Sequence, residues 1–127
     1  MKLFVNENDT VSGSLYIGSK DDKIICFDNE SAAKGISGLG EIVKHDFVFR
    51  KINFGISKKI QEKSFISREG LMSFDPISFR YERVINTLKS WTIKEENGDY
   101  VQINKENLDN LDASLASAIT SLCDKLL

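Results

Sequence analysis

The first half of the chain consists of short apolar runs separated by turn-forming residues. Ser14–Ile17 and Lys23–Phe27 are rich in β-branched and aromatic side chains, and glycine, asparagine, aspartate and serine bound them. This pattern predicts strands. Leu3–Val5 is a shorter run of the same kind. Residues 31–40 contain three glycines and favour a flexible loop, with a helical turn at Ser31–Lys34 as the alternative.

A longer apolar run follows, and it predicts a strand from Asp46 to Phe54. Its three phenylalanines, at positions 47, 49 and 54, cannot all point to one face of a strictly alternating strand. Either both faces of the strand are partly covered, or a bulge near Arg50 shifts the register.

The apolar spacing then becomes helical. Ile56, Ile60 and Ser64 fall on one side of a helix that we predict from an N-cap at Ser57 to about Ser67.

The pair Asp75-Pro76 predicts the sharpest helix start in the chain. An aspartate side chain accepts hydrogen bonds from the free amides of a first turn, and proline at the first helical position has no amide hydrogen to leave unpaired. We therefore predict a helix from Pro76 to about Lys89. Its apolar stripe consists of Ile77, Tyr81, Val84, Ile85, Leu88 and Trp91.

Three further elements complete the chain. Apolar runs on either side of Asn97-Gly98, a pair that favours tight turns, predict a β-hairpin over residues 91–103, followed by a short helical turn from Asn104 to Leu108. Asp112 caps a final amphipathic helix, whose stripe packs either on its own domain or on a partner. The stripe is the candidate partner-binding site and consists of Leu115, Ile119, Leu122 and Leu126.

The order of these elements predicts an α+β fold. Small antiparallel strands come first, and helices with one hairpin and a C-terminal amphipathic helix follow. We expect one domain over residues 1–127, mainly β in 1–54 and mainly α in 55–127.

Composition narrows the classes of partner. The net charge is −2 and the pI is near 5.4, which argues against a nucleic-acid partner. Cys26 and Cys123 lie far apart and favour buried or half-buried free thiols in a reducing cytoplasm. No apolar run approaches the roughly 20 residues that span a bilayer, so we expect no membrane partner.

Residues for chemistry are sparse. His45 is the only histidine, and no Cys-x-x-Cys accompanies it as a metal site would require. Glycines at 35, 38 and 40 resemble a phosphate loop in spelling, but the following residues predict a strand, and no Gly-Lys-Ser/Thr occurs. We therefore expect no catalytic residue, no cofactor and no metal.

The C-terminal part carries a recognisable arrangement of motifs. Ser90–Ile93 at a helix end precedes the acidic turn Glu95–Gly98, the run Val101–Asn104, and then Lys105–Asp112 with its Glu-Asn-Leu-Asp sequence. In this arrangement the chain, from about Phe47 to Leu127, resembles the small tail assembly chaperones or tail-component proteins of long-tailed bacteriophages.

The resemblance implies a non-enzymatic role in the cytoplasm of a host bacterium. Such a protein would keep a tail component, the tape-measure or tail-tube protein, soluble during assembly, and homo-oligomers are compatible with that role. Two other interpretations stay open. The chain could be a structural neck or tail subunit of the virion, or a small acidic phage-encoded inhibitor of a host protein.

Overall fold

The computed structural model describes residues 1–127, and it has five helices and six strands. The α+β prediction is confirmed, including the C-terminal helix. In chain order the elements are β1 (Thr10–Lys20), β2 (Lys23–Phe27), α1 (Glu30–Lys34), β3 (Val43–Arg50), α2 (Phe54–Lys63), β4 (Phe65–Arg68), β5 (Leu71–Phe74), α3 (Pro76–Thr87), β6 (Leu88–Trp91), α4 (Lys105–Asp109) and α5 (Ala113–Leu126).

Four strands form an antiparallel sheet in the order β2-β1-β3-β6. A two-residue turn joins β1 to β2, and both of its residues, Asp21 and Asp22, have positive φ angles of 54° and 61°. Positive φ at both central positions is what a tight hairpin turn requires, and aspartate tolerates it better than most residues.

One face of this sheet carries the core. Side chains from β1 and β3 meet α3 and α5 there, and Phe47 and Phe49 are completely buried. Gly13 of β1 lies opposite Phe47, and a Cβ built on it would come within 2.9 Å of the Leu122 and Leu126 side chains. The absence of a side chain at Gly13 therefore lets α5 lie close against the sheet.

The phenylalanine pattern of β3 has a simple resolution. Phe47 and Phe49 share the buried face, whereas Phe54 lies beyond the strand, at the exposed start of α2. An irregularity does occur, but it lies where β3 pairs with β6, between Val48 and Phe49.

The extra residue of that irregularity is on β6. Phe49 pairs with Leu88 and Phe47 pairs with Trp91, so two steps on β3 match three steps on β6. This bulge turns both Leu88 and Trp91 toward the core, although they are three residues apart. The helix predicted to Lys89 accordingly ends at Thr87.

The predicted helix after residue 55 differs at both ends. Its cap is Asn53, whose side chain accepts a hydrogen bond from the Ile56 amide at 2.9 Å, and not Ser57. The helix ends at Lys63, because the chain from Phe65 to Phe74 forms the hairpin β4–β5.

Three other predicted segments also look different in the structure. Leu3–Val5 is not in a strand. Ser31–Lys34, predicted as loop with a helical alternative, belongs to α1, because the Asn29 side chain caps it through the Ala32 amide. In residues 91–103 the chain reverses at Gly98 with the single bridge Lys94–Tyr100, while Trp91 pairs with β3.

Candidate protein-binding surface

The stripe of α5 packs within the protein. Leu115, Ile119 and Leu122 are buried in the core, and Leu126 is half-buried against it. The sequence left two alternatives open for this stripe, packing on its own domain or on a partner, and the structure shows the first. In this conformation three of the four side chains are covered and Leu126 is partly covered. The stripe therefore offers a partner no continuous apolar face.

Polar contacts hold the helices around this core in place. Arg80 and Arg83 of α3 both pair with the Asp124 carboxylate of α5, at 2.9 Å. The Tyr81 hydroxyl donates to Asp109 of α4 at 2.8 Å. Burial and this hydrogen bond to a carboxylate raise the pKa of Tyr81 to about 12, since both disfavour the phenolate.

The residues that could take part in catalysis or metal binding do not cluster in space. His45 Nδ1 lies 3.1 Å from Thr92 Oγ1, with no carboxylate or thiol in its hydrogen bonds. No three His, Cys, Asp or Glu side chains lie close enough together to hold a metal ion. Cys123 is buried, Cys26 is half-buried, both are free, and burial raises the pKa of both thiols.

The main concavity follows the edge of the sheet beside β6. It has a volume of about 520 Å³ and includes Trp91, Thr92 and Tyr100 in its lining. The Trp91 indole donates to the Val101 carbonyl at 2.8 Å, so its polar atom is already satisfied. The groove is open to solvent, and its charged lining residues are Asp46 and Lys89.

The unusual surface lies elsewhere, on the hairpin β4–β5, which we call the arm (residues 65–74). All four residues of β5 are exposed, with Leu71 at 74% and Met72 at 67% of full exposure. Phe65 and Phe74 are each about half exposed. A two-stranded hairpin with exposed apolar side chains is marginal in water, and such patches commonly mark protein-binding sites.

The arm has one predominantly apolar face. Directly opposed residues of an antiparallel pair share a face, and Phe65 pairs with Phe74 while Ser67 pairs with Met72. The Phe65 and Phe74 rings lie 5.8 Å apart, and Phe74 lies 5.5 Å from the Phe79 ring of α3. This face is therefore an aromatic and methionine surface attached to α3.

The root of the arm is fixed by hydrogen bonds. The Asp75 amide donates to the Ser64 carbonyl at 2.7 Å, and the buried Ser64 hydroxyl bonds back to the Ile60 carbonyl. The Asp75 side chain accepts from the Ser78 hydroxyl, and this bond lowers the pKa of Asp75. The arm thus projects from a capped junction between α2 and α3.

Charge is distributed unevenly around the arm. Residues 51–80, which include α2, the arm and the first turn of α3, contain six basic and three acidic side chains. This segment carries +3, which leaves −5 on the remaining residues of a chain whose net charge is −2. The arm therefore belongs to a basic stretch of the sequence of an acidic protein, although its own two charged residues, Arg68 and Glu69, cancel.

Local sequence signals for this surface are weak. Glu69 and Gly70, with φ angles of 53° and 81°, form the two-residue turn of the arm. Glu-Gly is not one of the residue pairs that typically indicate such a turn. The remaining indication of a hairpin is that the apolar residues on either side of that turn do not fit one face of a helix.

A comparison with models of protein families, with curated proteins and with solved structures found no match to the chain. Every helix is too short or too polar to cross a bilayer.

Proposed function

We propose that this protein is a non-catalytic protein-binding factor in bacteriophage tail assembly, which holds a tail component soluble until it is incorporated. The observation that carries the binding role is the exposed apolar arm on a fixed root. The assignment to tail assembly rests on the resemblance of residues 47–127 to the small tail assembly chaperones or tail components.

The binding surface we propose is the arm, because the stripe of α5 is occupied by the core. A factor that holds an aggregation-prone client needs an accessible apolar surface with charge nearby. Met72 and Phe74 provide apolar contacts on one face of the arm and Leu71 on the other, and methionine adapts its shape to different partners. Because the arm is small, it makes few contacts with the client, which allows the client to be released when the tail assembles.

The test uses the tagged full-length chain in infected or lysogenic bacteria, where we expect it to act in the host cytoplasm. Mass spectrometry would identify the proteins that it carries and the proteins of purified virions. Co-purification of the tape-measure or tail-tube protein, with this chain missing from virions, is the expected result.

A matched pair of variants ties that result to the arm. Leu71→Ser with Met72→Ser removes two exposed apolar side chains from the arm, and Tyr100→Ser removes one that is 62% exposed elsewhere. We expect the arm variant to lose the tail component and the Tyr100 variant to keep it.

Other outcomes would replace the proposal. A fixed number of copies in every virion would make the chain a structural neck or tail subunit. Recovery of one host protein, with no tail component, would favour the inhibitor role.

A further inference from the structure

We infer that the outer edge of β5 accepts an extended, acidic and apolar segment of a partner protein as a third strand of the arm. This inference rests on the proposed protein-binding function. It adds the conformation and the chemistry of the segment that is bound.

The backbone of the arm has a free hydrogen-bonding edge. β4 and β5 form a sheet of two strands, so the outer side of β5 pairs with no strand. The bond from the Asp75 amide to the Ser64 carbonyl marks that pair as a hydrogen-bonded position. Bonded and non-bonded pairs alternate in an antiparallel ladder. With the observed register, the amide and carbonyl of Met72 and of Phe74 therefore point outward.

Such an edge selects an extended segment. Outward groups on alternate residues match the backbone of another strand, whereas a helix has already used its own amides and carbonyls. A third strand would also place its side chains beside Met72 and Phe74 on the apolar face. Apolar residues on alternate positions of the bound segment would satisfy that face.

Charge selects the partner and disfavours a second copy. The stretch of sequence from Lys51 to Arg80 carries +3, and of its basic residues Arg80 is already paired with Asp124. We expect the acidic residues of an incoming strand to meet the complementary charge of the others. Two copies paired through β5 would instead bring two such basic segments together.

Two labelled peptides of about ten residues, a length that covers the 4-residue edge strand, test this chemistry. In one, valine alternates with glutamate and threonine, and in the other lysine replaces each glutamate. We expect fluorescence anisotropy to show binding of the glutamate peptide at least ~10-fold tighter than the lysine peptide, with a difference that shrinks in high salt.

Four variants of the full chain test the site. Met72→Pro removes an outward amide and leaves the β4–β5 ladder intact, so binding should be lost, while Met72→Ala, which keeps the amide, should retain most of it. Arg68→Glu should weaken the glutamate peptide several-fold, whereas Lys105→Glu, an exposed charge on α4, should have no effect. Circular dichroism of each variant confirms the fold.

Each result has one meaning. No binding of the glutamate peptide at ~1 mM, or equal binding by the Met72→Pro variant, overturns the inference. A dimer in light scattering that Met72→Pro dissociates overturns it too, since the occupant is then a second copy. If the Met72→Pro variant still captures the tail protein, the proposed function stands but does not use this edge. If the chain binds the glutamate peptide but captures no tail protein, the edge inference stands and the proposed function does not.

Discussion

The sheet with α5 and the arm use similar apolar side chains in opposite ways. In the first region Phe47, Phe49 and Ile119 are covered on every side. In the second, Leu71 and Met72 remain open to water although they belong to a regular strand. The difference is one of layers, because the sheet has helices against its face and the arm has only the edge of α3 beneath it. Apolar content alone thus does not tell a buried core from an exposed apolar surface.

The largest expected effect separates two isoleucines on helices. Ile119→Ala in α5 should lower the free energy of unfolding by about 2–5 kcal/mol, because it leaves a cavity in the core. Ile77→Ala in α3, where the side chain is 80% exposed, should change it by less than ~0.5 kcal/mol. Urea denaturation of both variants measures the contrast, and equal losses would contradict the comparison.

A glycine pair gives the next effect. Gly13→Ala should cost about 1–3 kcal/mol, since the new Cβ meets the ends of Leu122 and Leu126 at 2.9 Å. Gly55→Ala in α2, with its nearest atom at 3.5 Å, should instead stabilise by about 0.5–1 kcal/mol through helix propensity. Thermal unfolding of the two variants decides this, and a neutral Gly13→Ala would show that α5 does not press on the sheet.

The raised pKa of Tyr81 predicts that the free energy of unfolding depends on pH at alkaline pH. Its pKa is raised from 10.0 to about 12, so the folded state holds the phenolic proton more tightly than the unfolded state. The stability from this group is therefore complete below pH 10 and is lost as the pH rises toward 12.

Tyr81→Phe removes the group and serves as its own control. Below pH 10 the variant should be less stable than the parent by about 0.5–1.5 kcal/mol, the usual value of one hydrogen bond. That difference should shrink between pH 10 and 12 in denaturant titrations. A difference that stays constant over this range would argue against the Tyr81–Asp109 bond.

The smallest effect on stability belongs to the arm. Leu71→Ser should alter the free energy of unfolding by less than ~0.5 kcal/mol, because its side chain gains little burial on folding. Urea denaturation of the variant beside the parent chain measures this difference. A loss above ~1 kcal/mol would mean that the arm belongs to the core.

Local side-chain signals predicted parts of the fold well. Asp75 and Asp112 both cap helices as expected, and α3 begins at Pro76 as predicted. A cap acts within one turn of its own residue, so its effect can be read from a few neighbouring positions.

Tertiary pairing decided what the sequence did not show. Leu88 and Trp91 continue a helical spacing, yet they form β6 because β3 offers backbone partners and the bulge turns both inward. The arm escaped prediction for a similar reason. Its strands of four residues each are too short for a clear alternation, and only the structure shows that no layer covers them.

The stripe of α5 posed a question that periodicity could not answer. Spacing shows that Leu115, Ile119 and Leu122 share a face, but a face that meets a partner has the same spacing as one that meets the core. The close approach at Gly13 in β1 is the feature that favours the sheet, and it depends on residues about a hundred positions away.

That separation affects how the molecule is made. β1, β2 and β3 join through nearby pairings and can form while the rest of the chain is still being synthesised. Their apolar face, with Phe47 and Phe49, stays bare until the ribosome has released α5. Until α5 packs against the sheet, the nascent chain therefore exposes apolar surface that favours aggregation.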